Sequence, residues 1–168
     1  FSAVKHRIYT VLFVFSYTGS FYYERSQILG KVAEAIKRYN DKGENKAKLL
    51  LYSNVAPDRG LWEQMHIEGA SNYMGSLSFP ELKERLNTAD VLVFVESFSP
   101  EQVEKTKYSL STKVPEYMST GKPILAIGPQ DIGSMDYLQD VALCVNDLTS
   151  IDGAIEALIE KESVRKTL

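Results

Sequence analysis

The chain has 168 residues and a formal net charge of −3, with 44% hydrophobic and 24% charged residues. This composition is typical of a globular domain and excludes a largely disordered chain, because apolar content is high and net charge is low. The slight acidity argues against binding of nucleic acid, which usually requires a basic surface. The single cysteine, Cys144, excludes an internal disulfide and favours a reducing compartment, so we expect a cytoplasmic protein.

Short apolar runs alternate with amphipathic segments along the chain. Residues 8–17 (IYTVLFVFSY) and 91–95 (VLVFV) are almost continuous in β-branched and aromatic side chains, as expected for strands buried on both faces. Residues 24–39 place apolar side chains at the spacing of one helix face. The other predicted elements are strands at 48–53, 72–75, 123–127 and 142–145 and helices at 61–68, 80–87, 112–119, 134–139 and 151–162. This order predicts an α/β fold in one domain over residues 1–168: a doubly wound, mostly parallel, six-stranded Rossmann-like sheet with helices on both faces.

The loops that lead from strands into helices should carry the function, because ligands bind such sheets at the carboxyl ends of the strands. These loops comprise residues 18–26, 53–61, 75–79, 96–113 and 128–134. The first loop has one glycine, Gly19, and therefore lacks the G-x-G-x-x-G pattern of dinucleotide sites. The sequence also contains no P-loop and no G-x-S-x-G nucleophile elbow.

Two basic residues, Arg25 and Lys113, lie at the predicted starts of helices, where the helix dipole disfavours a cation by roughly 0.3–1 kcal/mol. A phosphate bound between them would remove this conflict, since it would accept hydrogen bonds from both cations and from loop amides. Further donors to the same phosphate are the hydroxyl groups of Ser109, Ser111 and Thr112. The alternative is that both basic side chains point into solvent and pair with Glu24 or Glu116.

Glu116 follows Lys113 by one helical turn and so lies on the same predicted helix face. Its carboxylate could accept two hydrogen bonds from a ribose diol. It could equally form an ion pair with Lys113, and the spacing leaves both interpretations open.

The run STKVPEYMSTGKPILAIGP at residues 111–129 resembles the signature of the nucleotide-sugar-binding half of GT-B glycosyltransferases, most closely the retaining family four. Residues 17–29 resemble the first strand–loop–helix of that half, and residues 72–94 resemble its later strand, glycine loop, helix and Ala-Asp strand. The resemblance covers most of the chain in order. It implies that the chain is the C-terminal, donor-binding domain of a two-domain enzyme, with the acceptor-binding domain expected before Phe1.

The resemblance also implies roles for individual residues. Arg25 and Lys113 would be the catalytic cations that stabilise the diphosphate leaving group. Gly19 would let the first loop approach the donor, and Glu116 would hold the ribose hydroxyls. The remaining implied donor contacts are Ser20, Ser76, Leu77, Ser109, Ser111 and Thr112.

Two positions depart from the pattern of the family. Ser20 stands where an arginine commonly follows the glycine of the first loop. Tyr108 stands eight positions before Glu116, where the family often has the glutamate that faces the donor sugar. The identity of the sugar is therefore left open, as are the base and the acceptor.

The function that the resemblance implies is transfer of a sugar from a nucleoside-diphosphate sugar, with retention of configuration, to a glycan or lipid-linked sugar in polysaccharide biosynthesis. No cofactor or metal is expected, since the chain has no Asp-x-Asp motif. We expect the isolated domain to be inactive, and the N-terminal half would provide any peripheral association with the cytoplasmic face of a membrane. The alternatives are a nucleotide-sugar epimerase of the same architecture and a non-catalytic binding or scaffolding domain.

Overall fold

The computed structural model describes residues 12–43 and 45–168 of the chain. Within these residues six strands form one sheet, all of whose neighbouring strands are parallel, in the order β3-β2-β1-β4-β5-β6. The strands are β1 (Leu12–Thr18), β2 (Lys46–Tyr52), β3 (Ser71–Gly75), β4 (Val91–Val95), β5 (Ile124–Ile127) and β6 (Leu143–Val145). The predicted Rossmann-like sheet is confirmed, although residues 8–11 of its first predicted strand lie outside the described residues.

Helices cover both faces of this sheet. In the described ranges they are α1 (Arg25–Lys42), α2 (Arg59–Met65), α3 (Phe79–Thr88), α4 (Pro100–Thr106), α5 (Lys113–Met118), α6 (Gly133–Leu138), α7 (Ile151–Glu160) and α8 (Glu162–Lys166). One hydrophobic cluster joins the sheet to α1, α2 and α7, and a second joins it to α3, α5 and α6. Alternating residues of β1 supply both clusters, since Phe15 belongs to the first while Val14 packs against the second. No helix among the described residues is both long and apolar enough to cross a bilayer.

The sequence leaves the charged run at residues 101–107 open between a solvated loop and a short helix. The structure has a short helix there, α4, which Ser99 caps by accepting a hydrogen bond from the amide of Gln102. The predicted helix at residues 151–162 is two helices, α7 and α8, because the chain becomes extended at Lys161. The guanidinium of Arg165 in α8 donates to the carbonyl of Ile159 and so satisfies the end of α7.

The third helix begins with a reciprocal cap that fixes the loop after β3. The amide of Ser78 donates to the carboxylate of Glu81 over 2.9 Å, and the hydroxyl of Ser78 donates to the same oxygen. These hydrogen bonds lower the pKa of Glu81. The cap places Leu77 and Phe79, on either side of Ser78, at the carboxyl-end rim of the sheet.

The strand order reverses between β1 and β4, which pair only at Phe15 with Val91 and at Ser16 with Leu92. Beyond these pairs the two strands diverge, because β1 leads into a helix on one face and β4 leads into helices that include α5 on the other. Such a divergence opens a crevice at the carboxyl ends of the strands. The candidate site lies there.

Candidate functional site

A cavity of about 130 Å³, here called the central crevice, lies between the carboxyl ends of β1 and β4. Its lining includes Arg25 from the start of α1 and Lys113 from the start of α5. Glu96, which follows β4 directly, and Ser111 complete its polar wall. Two cations from different helices therefore line one crevice. The alternative interpretation holds for Lys113, which pairs with Glu116, but not for Arg25, which pairs with Glu96.

The floor of the central crevice is closed by the hydroxyl of Tyr117. This hydroxyl accepts a hydrogen bond from the amide of Thr18 at the end of β1 (3.0 Å) and donates to the carbonyl of Val93 in β4 (3.2 Å). Burial raises the pKa of Tyr117 to about 12, so the hydroxyl stays protonated at neutral pH. Tyr117 thus bridges the two strands where their own ladder has ended.

Arg25 is held against the edge of β4 by two contacts. Its Nη2 donates to Oε2 of Glu96 over 2.7 Å, and its Nε donates to the carbonyl of Val95 over 3.3 Å. The Arg25 side chain is 21% exposed and that of Glu96 is 8% exposed. Glu24 does not pair with Arg25, because its carboxylate accepts a hydrogen bond from the hydroxyl of Ser97 instead.

The turn that leads into α1 adopts a strained conformation. Tyr23 and Glu24 have φ values of 59° and 64°, in the left-handed region of backbone conformation that residues other than glycine rarely adopt. Two such residues cost of order 1–3 kcal/mol each. The Glu24–Ser97 hydrogen bond and the Arg25–Glu96 ion pair tie this turn to the loop after β4 and offset part of that cost.

The amides at the start of α1 are not free to bind an anion. The amides of Arg25, Ser26 and Gln27 donate to main-chain carbonyls of residues 21–24. These three amides are therefore already paired in the structure, and the contribution of loop amides at the phosphate stays a prediction. The side chain of Arg25 is the part of the helix start that lines the crevice.

Lys113 and Glu116 form an ion pair of 2.9 Å, which is one of the two interpretations that their spacing left open. Lys113 lines the central crevice and also a neighbouring cavity of about 290 Å³, here called the outer crevice. The outer crevice lies between helix α3 and the two loops that follow β1 and β2. Glu116 lines a third cavity of about 400 Å³ between α3 and α5, here called the α3–α5 groove. The ion pair therefore connects the central crevice to this groove.

An aromatic side chain flanks the α3–α5 groove. Phe79 is 73% exposed, and it lines the groove together with Lys83, Thr112 and Glu116. Such a flat apolar surface beside a carboxylate suits a ligand that has both a ring and hydroxyl groups.

The structure distributes the predicted site residues over these cavities. The central crevice collects Gly19, Ser20, Arg25, Ser111 and Lys113. Leu77 lines the outer crevice, while Thr112 and Glu116 line the groove. Gly19 has a φ of 144°, and a Cβ there would approach the hydroxyl of Tyr17, so a glycine suits this close turn.

Two predicted contacts lie away from the cavities as far as the described residues show. The hydroxyl of Ser76 donates to the side-chain carbonyl of Asn54 over 3.1 Å. The hydroxyl of Ser109 donates to the carbonyl of Thr106 over 3.2 Å. The amide of Ser111 is also engaged, because it donates to the hydroxyl of Ser134. The roles of these serines in donor binding stay predictions.

The sequence analysis missed the carboxylate of Glu96 and the bridging hydroxyl of Tyr117. A signal for Glu96 was present, since an acidic residue directly after a buried strand lies at the ligand-binding edge of a parallel sheet. The burial of Tyr117 is indicated by its spacing of three from Val114, which is also buried. Within the described ranges, His, Cys, Asp and Glu side chains form no group of three that could hold a metal ion.

Comparisons with known proteins identify the fold. No protein-family model matches the sequence, and neither does any curated protein. The C-terminal domain of LpcC, a glycosyl transferase group 1 family protein from Francisella tularensis, superposes with a TM-score of 0.64 at 12% identity, over 92% of this chain and 79% of that one. The chain has the fold of the C-terminal domain of GT-B glycosyltransferases.

Two further structures of this fold contain nucleotides. S. aureus MnaA with UDP has a TM-score of 0.60 at 12% identity, over 94% of this chain and 39% of that one. The E. coli trehalose-6-phosphate structure bound with UDP-2-fluoro glucose has a TM-score of 0.61 at 13% identity, over 92% of this chain and 38% of that one. The chain thus spans less than two fifths of the length of either structure.

Proposed function

We propose that the chain is the donor-binding domain of a glycosyltransferase and binds a nucleoside-diphosphate sugar. The observation that carries this proposal is the convergence of Arg25 and Lys113 on the central crevice from the starts of two different helices. The nucleotides bound in MnaA and in the E. coli structure of the same fold support a nucleoside diphosphate as the ligand.

In the proposed complex the diphosphate lies in the central crevice. There Arg25 and Lys113 stabilise the negative charge that grows on the leaving nucleoside diphosphate as the bond to the sugar breaks. Cations that are fixed by the fold need little reorganisation during the reaction, which is the main source of such stabilisation. We propose that these two cations serve in place of a divalent metal.

The nucleoside would lie in the α3–α5 groove. Glu116 would accept hydrogen bonds from the ribose hydroxyls there, while its contact with Lys113 links the ribose to the diphosphate. Phe79 would stack on the base, a contact that is worth about 1–3 kcal/mol per base when tested by alanine substitution.

The acceptor, and the retention of configuration implied by the resemblance, belong to the proposal for the whole enzyme. We propose that an acceptor-binding domain completes the site and that the isolated chain binds donor without turnover. Analysis of the products and their anomeric configuration in the full-length protein separates a retaining transferase from an epimerase. Donor binding without any product in the full-length protein would favour the scaffolding alternative.

Calorimetry of the chain with UDP, GDP and ADP tests the proposal. At least one of these nucleotides should bind, and Lys113→Ala should weaken its binding about 10-fold or more, since a charge-assisted hydrogen bond is worth about 1.5–3 kcal/mol. Glu116→Ala should weaken the binding of the diphosphate and of the monophosphate of that nucleoside to a similar extent, because both nucleotides contain the ribose.

Lys37→Ala is the control for these variants, since Lys37 also pairs with an acidic residue, Asp41, but lies in α1 away from the three cavities. It should bind nucleotide as the unmodified chain does. Absence of binding for all three nucleotides at millimolar concentration would refute the proposed function.

A further inference from the structure

Both cations of the central crevice are already paired with carboxylates. Arg25 contacts Glu96 at 2.7 Å, and Lys113 contacts Glu116 at 2.9 Å. The two pairs differ in burial: the Glu96 side chain is 8% exposed, whereas that of Glu116 is 26% exposed. Glu96 is therefore the carboxylate that solvent screens least in this site.

The position of Glu96 is fixed by the sheet. Its amide donates to the carbonyl of Ile127 over 2.9 Å, which extends the pairing of β4 with β5 by one residue. Its Cβ lies 3.2 Å from the place that a Cβ on Gly128 would occupy, so the side chain passes close over that glycine. These contacts fix the main chain and the Cβ of Glu96, and the ion pair with Arg25 holds its largely buried carboxylate at the crevice wall.

A negative group that is fixed at a phosphate site acts against every anion that binds there. Its effect grows with the charge of the ligand. A free nucleoside diphosphate carries one negative charge more than the same nucleotide esterified to a sugar, because its terminal phosphate has a second ionisation with a pKa of about 6. A nucleoside triphosphate carries a further charge. A buried carboxylate at the phosphates therefore weakens the binding of a more highly charged ligand more than that of a less charged one.

We propose that Glu96 is a specificity-determining residue of the donor site. Its carboxylate holds the Arg25 guanidinium when the site is empty and competes with the phosphates for it. Glu96 thereby favours the nucleoside-diphosphate sugar over the more highly charged free diphosphate and triphosphate. This inference rests on the proposed function, because it assumes that the phosphates of a nucleotide lie in the central crevice.

Glu96→Gln tests this inference, since glutamine keeps the size of the side chain and removes its charge. The affinities of UDP-glucose, UDP and UTP are measured by calorimetry for the unmodified chain and the variant, or those of the matching guanosine or adenosine nucleotides if that base is the one bound. The variant should bind all three ligands more tightly than the unmodified chain does, because a like charge has been removed. The gain in affinity should be largest for the triphosphate, about tenfold for the diphosphate and smallest for the sugar diphosphate.

Glu101→Gln is the matched control. Glu101 also pairs with a cation, Lys105, at 2.6 Å, but this pair is exposed on α4 and lines none of the three cavities described. It should leave all affinities within about twofold, as expected for a solvent-screened charge. If Glu96→Gln does not fold, Glu96→Asp withdraws the carboxylate by one methylene group. It should then produce smaller gains in affinity, ranked among the three ligands in the same order.

Equal gains for all three ligands, or weaker binding of all three, would overturn the inference, because Glu96 would then only orient Arg25. That result differs from failure of the proposed function, in which the unmodified chain binds none of the nucleotides. A selective gain for the more highly charged ligands supports the inference.

Discussion

Replacing Tyr117 with phenylalanine removes the one atom that bridges β1 and β4 at the crevice floor. Two main-chain groups then lose a partner: the amide of Thr18 and the carbonyl of Val93. Tyr117 is 1% exposed, so water does not readily replace its hydroxyl. A buried polar group left without a partner costs about 1–3 kcal/mol. We expect the free energy of unfolding to fall by at least about this amount, which corresponds to a fall in Tm of about 2–12 °C for a chain of this length.

Urea and thermal unfolding followed by circular dichroism measure this loss. Tyr137→Phe is the matched control, because Tyr137 is 54% exposed on α6 and the same atom is removed from a solvated position. Its free energy of unfolding should change by less than about 0.5 kcal/mol. If Tyr117→Phe destabilises the chain no more than Tyr137→Phe does, the bridging hydroxyl does not contribute to the fold as we have argued.

The same hydroxyl gives a pH dependence with a definite sign. Burial raises the pKa of Tyr117 from its usual value of 10 to about 12, so the folded chain holds this proton more tightly than the unfolded chain. Its contribution to stability is therefore complete below pH 10 and is lost as the pH rises through 12. Between pH 10 and 12 the stability of Tyr117→Phe should fall less steeply than that of the unmodified chain. Parallel slopes for the two proteins would contradict this assignment.

Two further predictions concern packing. Gly30→Ala should destabilise the chain by about 3 kcal/mol, because a Cβ at Gly30 in α1 would collide with the main-chain carbonyl of Gln64 in α2. Gly153→Ala should instead stabilise the chain by about 0.5–1 kcal/mol, because a Cβ at Gly153 in α7 would enter open space. Chemical unfolding that gives both variants a change of the same sign would refute this account. Ser16→Ala should raise the free energy of unfolding by about 1 kcal/mol, because the buried hydroxyl of Ser16 has no hydrogen-bond partner within the described part of the chain. A clear loss of stability on urea titration would show that this hydroxyl does form a hydrogen bond.

The fold was largely predictable because β4 and β5, at the centre of one half of the sheet, are buried along their whole length. β4 was predicted at residues 91–95 and occupies those residues, since five consecutive β-branched, aromatic and other apolar side chains are typical of a fully buried strand. The break between α7 and α8 was not predictable, because neither the extended conformation of Lys161 nor the contact of Arg165 with the carbonyl of Ile159 leaves a mark on the apolar periodicity.

The candidate site was predictable in part. Arg25 and Lys113 fall on the first residues of helices, and a parallel sheet brings such positions to one edge. The partner of Arg25 was not predictable, because Glu96 lies 71 residues away in sequence and the nearer Glu24 offered a local alternative. The strained turn at Glu24 directs that carboxylate to Ser97 instead, and sequence spacing carries no information about such a turn.

The six residues of α5 contain both a cation of the crevice and the tyrosine that joins two strands. Lys113 and Tyr117 are four residues apart on one rigid turn of helix, so a ligand that restrains the lysine also restrains the strand junction. The amide of Thr18 reports on this junction, because its hydrogen is shared with the tyrosine oxygen. Occupancy of the crevice should therefore slow the exchange of that hydrogen with solvent, even though the amide itself faces the interior of the protein.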